Sequence, residues 1–467
     1  MSRATQRATP APRFPRKLLP PILLGAILNP LNSSMIAVAL VPIALAFDAP
    51  ATETAWLVSA LYLATSVGQP LVGRFVDLYG PKRVFLVGSC LTMLAGVLGA
   101  TAPNLGVLIA ARVILGLATC AGYPSAMTLI RRVADRRGLP NPAGILTLIS
   151  VTVQTIAMVG PAVGGLLVDL GGWRATLAVN VPLGIVCLLL GWWLLPRDER
   201  APEEAAPSIR LLDWTGVVSF TTALTGVLLF IMQPGMPRLW ALVLGIAAAA
   251  VFTVRELRTR TPFIDLRMLA GNRPLHATYV RAFAASVTSY SFLFGYTQWL
   301  EDGRGLTATV AGVALIPNFA IGLVTASVLG RRPQIRANLI LAFSAQTVVA
   351  ALLLATATDS PLWFLFLVAA VLGLPQGLIG LANQQALYHQ AVPAALGASS
   401  GLLRTFMYLG AIVASALTGW AFGTRADTTG MHELAWCMIA ASVLGLVLAL
   451  SDGALHRLSV RLSRPAE

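Results

Sequence analysis

Long apolar runs alternate with short polar clusters from Leu18 to Leu450. Each run, coiled as an α-helix, is about as long as a lipid hydrocarbon core is thick. The pattern predicts fourteen membrane helices. Six come first, at Leu18–Phe47, Ala55–Gly73, Val84–Ala100, Leu105–Ile130, Pro142–Val168 and Ala175–Leu195. Trp214–Met232 and Leu239–Val254 follow. Six more lie at His276–Trp299, Leu306–Leu329, Ala337–Ala357, Leu362–Gln384, Ser399–Phe422 and Leu434–Leu450. The first run is too long for a signal-peptide core and has no cleavage box, so an uncleaved first span is expected.

The polar clusters decide orientation. Arg74, Lys82 and Arg83 follow the second run, and Arg131, Arg132, Arg136 and Arg137 the fourth. Arg197, Arg200 and Arg210 come next, then Arg255, Arg258, Arg260, Arg267 and Arg273, then Arg331, Arg332 and Arg336, and last Arg457, Arg461 and Arg464. The alternate connections hold only Arg174, Arg238, Arg304 and Arg425. By the positive-inside rule both termini are expected in the cytoplasm. An all-α polytopic protein with two six-helix bundles and two inserted helices is predicted. Its parts are a tail at 1–17, a bundle at 18–196, a linker with two inserted helices at 197–275, a bundle at 276–452 and a tail at 453–467. Six plus six is the repeat logic of many carriers, whose site lies between the halves at mid-membrane.

Composition agrees with that reading and removes others. Of 467 residues 57% are hydrophobic and 11% charged, against roughly 25% charged in soluble domains. The net charge of +14 sits in short loops rather than on one face, so it is topological and no nucleic-acid partner is expected. Cys90, Cys120, Cys187 and Cys437 stand singly in apolar runs, and His276, His389, His432 and His456 are scattered at span ends. Neither set makes a metal site or a catalytic group, so no enzyme, metal or cofactor is expected. The bilayer is the expected environment, in the cell membrane, and the protein is expected to be a monomer acting on a small-molecule substrate and on protons.

Three motifs carry chemistry. After the second run stands Gly73-Arg74-Phe75-Val76-Asp77-Leu78-Tyr79-Gly80-Pro81-Lys82-Arg83. Gly73 is expected to let helices approach closely, and Gly80-Pro81 forces a turn. Lys82 and Arg83 suit an anionic leaflet, and Asp77 can reach a neighbouring helix N-terminus or an arginine in a contact that breaks and remakes. Arg112, followed by Leu115 and Gly116, lies inside the fourth run. A mid-membrane arginine is either functional or a structural group bonded to backbone carbonyls. In the fifth run, Gly160 and Gly164 share a face, Pro161 bends the helix and Gly165 follows.

The first motif resembles the signature loop of the major facilitator superfamily, in which the acidic residue latches the outward-facing state. Arg112 is similar to the superfamily's fourth-span arginine, associated with proton coupling. Gly160-Pro161-Ala162-Val163-Gly164-Gly165 is similar to its antiporter motif, which marks exporters, with Ile156 where a glycine is usual. Trp173-Arg174, Asn180-Val181-Pro182, Asp213-Trp214-Thr215-Gly216 and Pro262-Phe263-Ile264-Asp265-Leu266-Arg267 resemble fourteen-span drug:proton antiporters of the multidrug-efflux type. The resemblance implies proton-driven export of small hydrophobic compounds, with an uptake carrier or a facilitator not coupled to protons as the competing reading.

One departure bears on substrate. Leu31-Asn32-Ser33-Ser34-Met35-Ile36-Ala37-Val38-Ala39-Leu40-Val41-Pro42 carries Asn32 where these antiporters often have an aspartate. No Asp or Glu falls within any predicted span, while Arg112, Arg281 and Arg404 do. Arg281 and Arg404 lie near span ends, where long side chains snorkel. A neutral or weakly anionic substrate is therefore expected. Candidate pocket groups are Asn29, Asn32, Tyr62, Gln154, Tyr296, Gln298, Asn318 and Gln376.

Overall fold

A computed structural model describes residues 14–137, 143–198, 213–232, 235–259, 262, 266–267, 271–329, 334–391, 396–455 and 457, and these form helices with no strand among them. The first third contains α1 (Leu19–Met35), α2 (Leu40–Phe47), α3 (Ala51–Tyr79), α4 (Pro81–Ala100), α5 (Leu105–Thr119) and α6 (Gly122–Arg137). Then come α7 (Ala143–Gly171), α8 (Trp173–Ala178), α9 (Asn180–Leu194), α10 (Trp214–Met232) and α11 (Leu239–Arg258). The last third contains α12 (Arg273–Ser291), α13 (Ala308–Ala314), α14 (Ile316–Val328), α15 (Ile335–Leu353), α16 (Leu362–Gln390), α17 (Leu396–Phe422) and α18 (Thr428–Ser451).

Local chemistry sets the starts. Pro81 opens α4 at the position where its missing N–H costs nothing. The side chains of Asn104, Asn272, Thr307 and Asp427 accept from the first turns of α5, α12, α13 and α18. Pro30, Pro70, Pro161 and Pro375 sit inside α1, α3, α7 and α16. Each removes one hydrogen bond of its helix and permits a bend at mid-membrane.

Among the described residues, thirteen stretches are long and apolar enough to cross a bilayer. The helix beginning at Arg273 is not among them, although it runs unbroken through α12 and the π turn Phe292–Tyr296. Its Thr278, Arg281, Ser286, Thr288 and Ser291 are buried inside the protein. A helix enclosed by other helices needs no apolar coat, which is why its polarity differs from that of the lipid-facing helices. The turn Trp299–Gly303 lies beyond it. Around the bundle, Val87, Leu94, Val243, Val324 and Val447 are exposed, an untenable surface in water and an ordinary one in lipid. Exposed Trp192, Trp193 and Trp214 lie near one end, and Trp240, Trp363 and Trp420 near the other, as in the aromatic belts of membrane proteins.

The helices fall into two groups, which pack on each other mainly where α3 meets α17 and α7 meets α13. In the N-terminal half α1 packs on α6 and α7, α3 on α5, and α4 on α5 and α9. In the C-terminal half α12 packs on α16, α17 and α18, α14 on α16, and α15 on α16 and α18. The hairpin α10–α11 leans on α3 through Val67, Val217, Phe220 and Phe252, and α10 also packs on α17. Asp213 ties that hairpin together, accepting from Gly216 N at 2.9 Å and from Arg255 Nε at 2.9 Å.

The halves meet at one end only in their cores. The largest buried cluster joins Ile43, Ala51, Trp173 and Leu177 of the N-terminal half to Trp299, Leu353, Phe422 and Met431 of the C-terminal half. We call this the far end. At the opposite, basic end the clusters belong to one half each. One is built around Ile22, Phe85, Ile130 and Leu195, and others around Ile335, Phe343 and Leu455 or Leu275, Leu387 and Leu402.

Candidate functional site

The seam between the halves is the natural site, and it has three levels. At the far end small residues set the spacing. A methyl on Gly160 would collide with Ser34 of α1, and one on Gly164 would press on the Met35 backbone. On the next face of α7, a methyl on Gly165 would strike the Ala308 carbonyl, and one on Gly312 the Pro161 carbonyl. The glycines therefore bring α7 against α1 within its half and against α13 across the seam. Two hydrogen bonds reinforce the closure: Thr297 Oγ1 donates to Ala37 O at 3.1 Å and Ser415 Oγ to Ala55 O at 2.8 Å.

At the basic end the sequence motif is built differently from expectation. Gly80 has φ 89° and ends α3, in a region open to glycine at little cost. The N-terminus of α4 is held by Asp198, which accepts from Lys82 N at 3.1 Å and Arg83 N at 2.9 Å. A carboxylate there is favoured by the helix dipole. Asp198 also crowds the place a Gly80 side chain would take. The Lys82 ammonium donates to Trp192 O at 2.7 Å and Leu195 O at 2.8 Å, closing the end of α9 rather than reaching out to lipid. Arg83 is exposed. Gly73 meets no neighbour within reach of a methyl, so the close approach expected there is absent in this conformation. The Asp77 side chain lies outside the described residues.

At mid-depth, aromatic rings bridge the halves. Tyr62 of α3 lies 5.3 Å from Tyr290 and 5.7 Å from Tyr408, ring centre to ring centre, and Phe294 stacks on Tyr290 at 5.7 Å. Tyr62 is buried, with its hydroxyl beside Ser33 and Tyr290. Arg404 of α17 stands with Cζ 3.8 Å above the ring of Tyr123 in α6, a cation–π contact across the seam. It does not snorkel. Neither does Arg281, which is fully buried and paired with Asp452 at 2.8 Å.

The predicted pocket residues divide. Tyr62 lies on the seam. Gln376 is exposed partway along α16 and accepts from Ser289 Oγ at 3.1 Å. Asn29 is half-buried and donates to Thr119 Oγ1 at 3.1 Å. Asn32 is occupied elsewhere: its amide and that of Asn180 bond each other both ways, at 2.7 and 2.8 Å, joining α1 to α9. Tyr296 donates to Leu365 O at 2.9 Å inside the C-terminal half, Gln298 donates to Phe294 O of its own helix, and Asn318 is buried where α14 meets α16. The Gln154 side chain lies outside the described residues. Tyr290, Tyr408, Arg404 and Asp198 were not singled out for these positions, because each gains its partner from a distant helix.

Arg112 is 1% exposed. Its Nε donates to Leu57 O at 2.9 Å and Nη1 to Asn32 O at 3.4 Å, while Nη2 finds no partner among the described residues. A guanidinium held by carbonyls and short of one bond is a charge placed at a cost.

Comparison with known proteins places this geometry. The model of the Major Facilitator Superfamily matches residues 22–415. The uncharacterized MFS-type transporter YwoD of Bacillus subtilis is 32% identical over 443 residues, which cover 93% of this chain and 96% of that protein. The methylenomycin A resistance protein of Streptomyces coelicolor is 26% identical, over 91% of this chain and 89% of that one. The crystal structure of the nucleoside transporter NupG aligns with a TM-score of 0.61 at 13% identity, covering 94% of this chain and 98% of that chain, a likeness of fold alone.

Proposed function

This chain belongs to the Major Facilitator Superfamily and is a multi-pass membrane transporter, and we propose that it exports small hydrophobic, neutral or weakly anionic compounds by alternating access, in exchange for protons. In this reading it has fourteen spans, both termini are cytoplasmic and the basic end faces the cytoplasm. The conformation is then inward-facing, shut at the far end.

The observation that carries the substrate class is the mid-depth group on the seam. Tyr62, Tyr290, Tyr408 and Tyr123 offer apolar faces, Gln376 a polar contact, and Arg404 the formal charge. No carboxylate stands among them. A multivalent cation entering this space would give up its hydration beside an arginine, with ring faces but no carboxylate to offset the loss. A flat, neutral or weakly anionic molecule would stack on the rings and meet the guanidinium favourably. Export rather than uptake is supported by the Gly160–Gly165 motif and by similarity to a relative named as a methylenomycin A resistance protein.

Everted membrane vesicles with an imposed proton gradient test the reading. A panel of labelled neutral, weakly anionic and dicationic compounds should show gradient-driven accumulation of the first two classes, abolished by uncoupler and by Arg112→Ala. Accumulation confined to dicationic compounds, or unchanged by uncoupler, would overturn it.

A further inference from the structure

Glu301 sits in the turn Trp299–Gly303, one turn past Thr297, whose hydroxyl donates across the seam to Ala37 O. It is 8% exposed, although it is an acid at the far end where water is near. Its Oε1 is buried without a hydrogen-bond partner among the described residues. The charged groups around it are mostly of its own sign. Asp169 faces it from α7 of the opposite half, and Asp302 from its own turn. Asp302 is already bound by Arg425 at 2.9 Å and by Ala426 N at 3.0 Å. Arg304, also on this turn, is spent on the carbonyls of Ala357 and Thr358. From α18, His432 is engaged with Thr356 O and Glu433 is exposed. No described cation is left to balance a Glu301 carboxylate.

We propose that Glu301 is a proton-binding site, and that the far end closes only when Glu301 has taken up a proton from the medium on that side. A buried carboxylate lacking a counter-charge and short of hydrogen bonds is far more costly than the neutral acid. Burial, and after it the charges of Asp169 and Asp302, push this carboxyl well above the usual carboxylate range. Closure also brings Asp169 of the other half beside it, so the proton is bound on closing and released on opening, when water reaches the turn and Asp169 withdraws. The sign follows: closure is favoured at low pH and lost as pH rises through the raised value. The site rests on the alternating-access reading for the separation of the halves, not on the direction of transport or the substrate.

Spin labels at Ala46 and Asp359, one on each half at the far end, in a protein with the native cysteines replaced, read the closure by pulsed electron resonance across pH 4–9. The wild type should show the short distance at low pH and a growing long-distance population as pH rises. Glu301→Gln, which is permanently neutral, should keep the short distance throughout. Asp169→Asn, a milder change that removes the like charge penalising the closed, ionised state, should move the wild-type midpoint to higher pH. A Glu301→Gln protein with the wild-type pH response, or a wild type whose distances ignore pH, would overturn the site. Vesicle transport by the same samples is scored separately, so loss of the exporter reading is told apart from loss of this one.

Discussion

The two ends of the molecule are held by different forces. At the far end the halves share one apolar core, and glycines on α7 and α13 let backbone touch backbone across the seam. At the basic end each half keeps its own core and its own polar ties. Asp198 and Lys82 bind α4 to the end of α9, and Arg336 donates to Leu450 O at 2.9 Å, binding α15 to the end of α18 in the same manner. The buried Arg281–Asp452 pair adds a second tie within the C-terminal half. The difference teaches where motion is cheap. Polar ties with fixed geometry lie inside each half and keep it rigid, whereas the contacts between halves are mostly apolar surfaces that part without leaving many polar groups unsatisfied.

The largest effect is expected from overfilling the far-end seam. Gly165→Leu drives a side chain into the Ala308 carbonyl, and overpacking of this kind costs about 1–3 kcal/mol. Transport should fall roughly tenfold while yield and helicity hold, and labels at Ala46 and Asp359 should move apart. An unchanged distance would mean that this contact does not set the closure.

Next comes the Asn32–Asn180 pair, which belongs to the rigid half rather than to the seam. Asn32→Ala leaves the Asn180 amide buried without its partner, at a cost of about 1–3 kcal/mol. Thermal stability should drop clearly, with substrate KM nearly unchanged in the surviving protein. A large rise in KM with normal stability would return Asn32 to the binding site.

Gly80→Ala should be felt at the basic end only. This positive-φ backbone costs about 1–3 kcal/mol for a residue with a side chain, and Asp198 would have to move. The expected result is a lower melting temperature with far-end distances unaltered. Smallest of all is the exposed Arg425–Asp302 pair, whose arginine is 73% exposed. Arg425→Ala should change stability by less than about 1 kcal/mol, and a larger loss would show that this loop braces the seam.

Much of the architecture was legible because the bilayer demands it. Apolar runs predicted fourteen crossings; thirteen described stretches are long and apolar enough to be membrane spans, and the predicted run His276–Trp299 falls on the helix beginning at Arg273, whose polar side chains keep it out of that set. The Gly160–Gly165 spacing was readable because one helix carries all of it. The mid-depth group was not. Tyr62, Tyr290 and Tyr408 belong to separate helices, and nothing near Tyr290 in sequence announces its partners. Asp198 escaped notice because it lies more than a hundred residues from the helix end it caps. Asn32 was read from its position in a motif, whereas the amide that pairs with it stands 148 residues away. Glu301 follows the apolar run in sequence, and only the fold shows that its turn is buried.

The central claim is that two rigid halves exchange closure between ends. Three label pairs test it in one reconstituted protein, by pulsed electron resonance with and without a transported compound: Ala46–Asp359 across the far end, Arg83–His389 across the basic end, and Arg83–Arg131 within the N-terminal half. The account predicts opposite changes in the two cross-seam distances and a constant distance within the half. Both ends widening together, or a shift of the Arg83–Arg131 distance as large as the others, would contradict it.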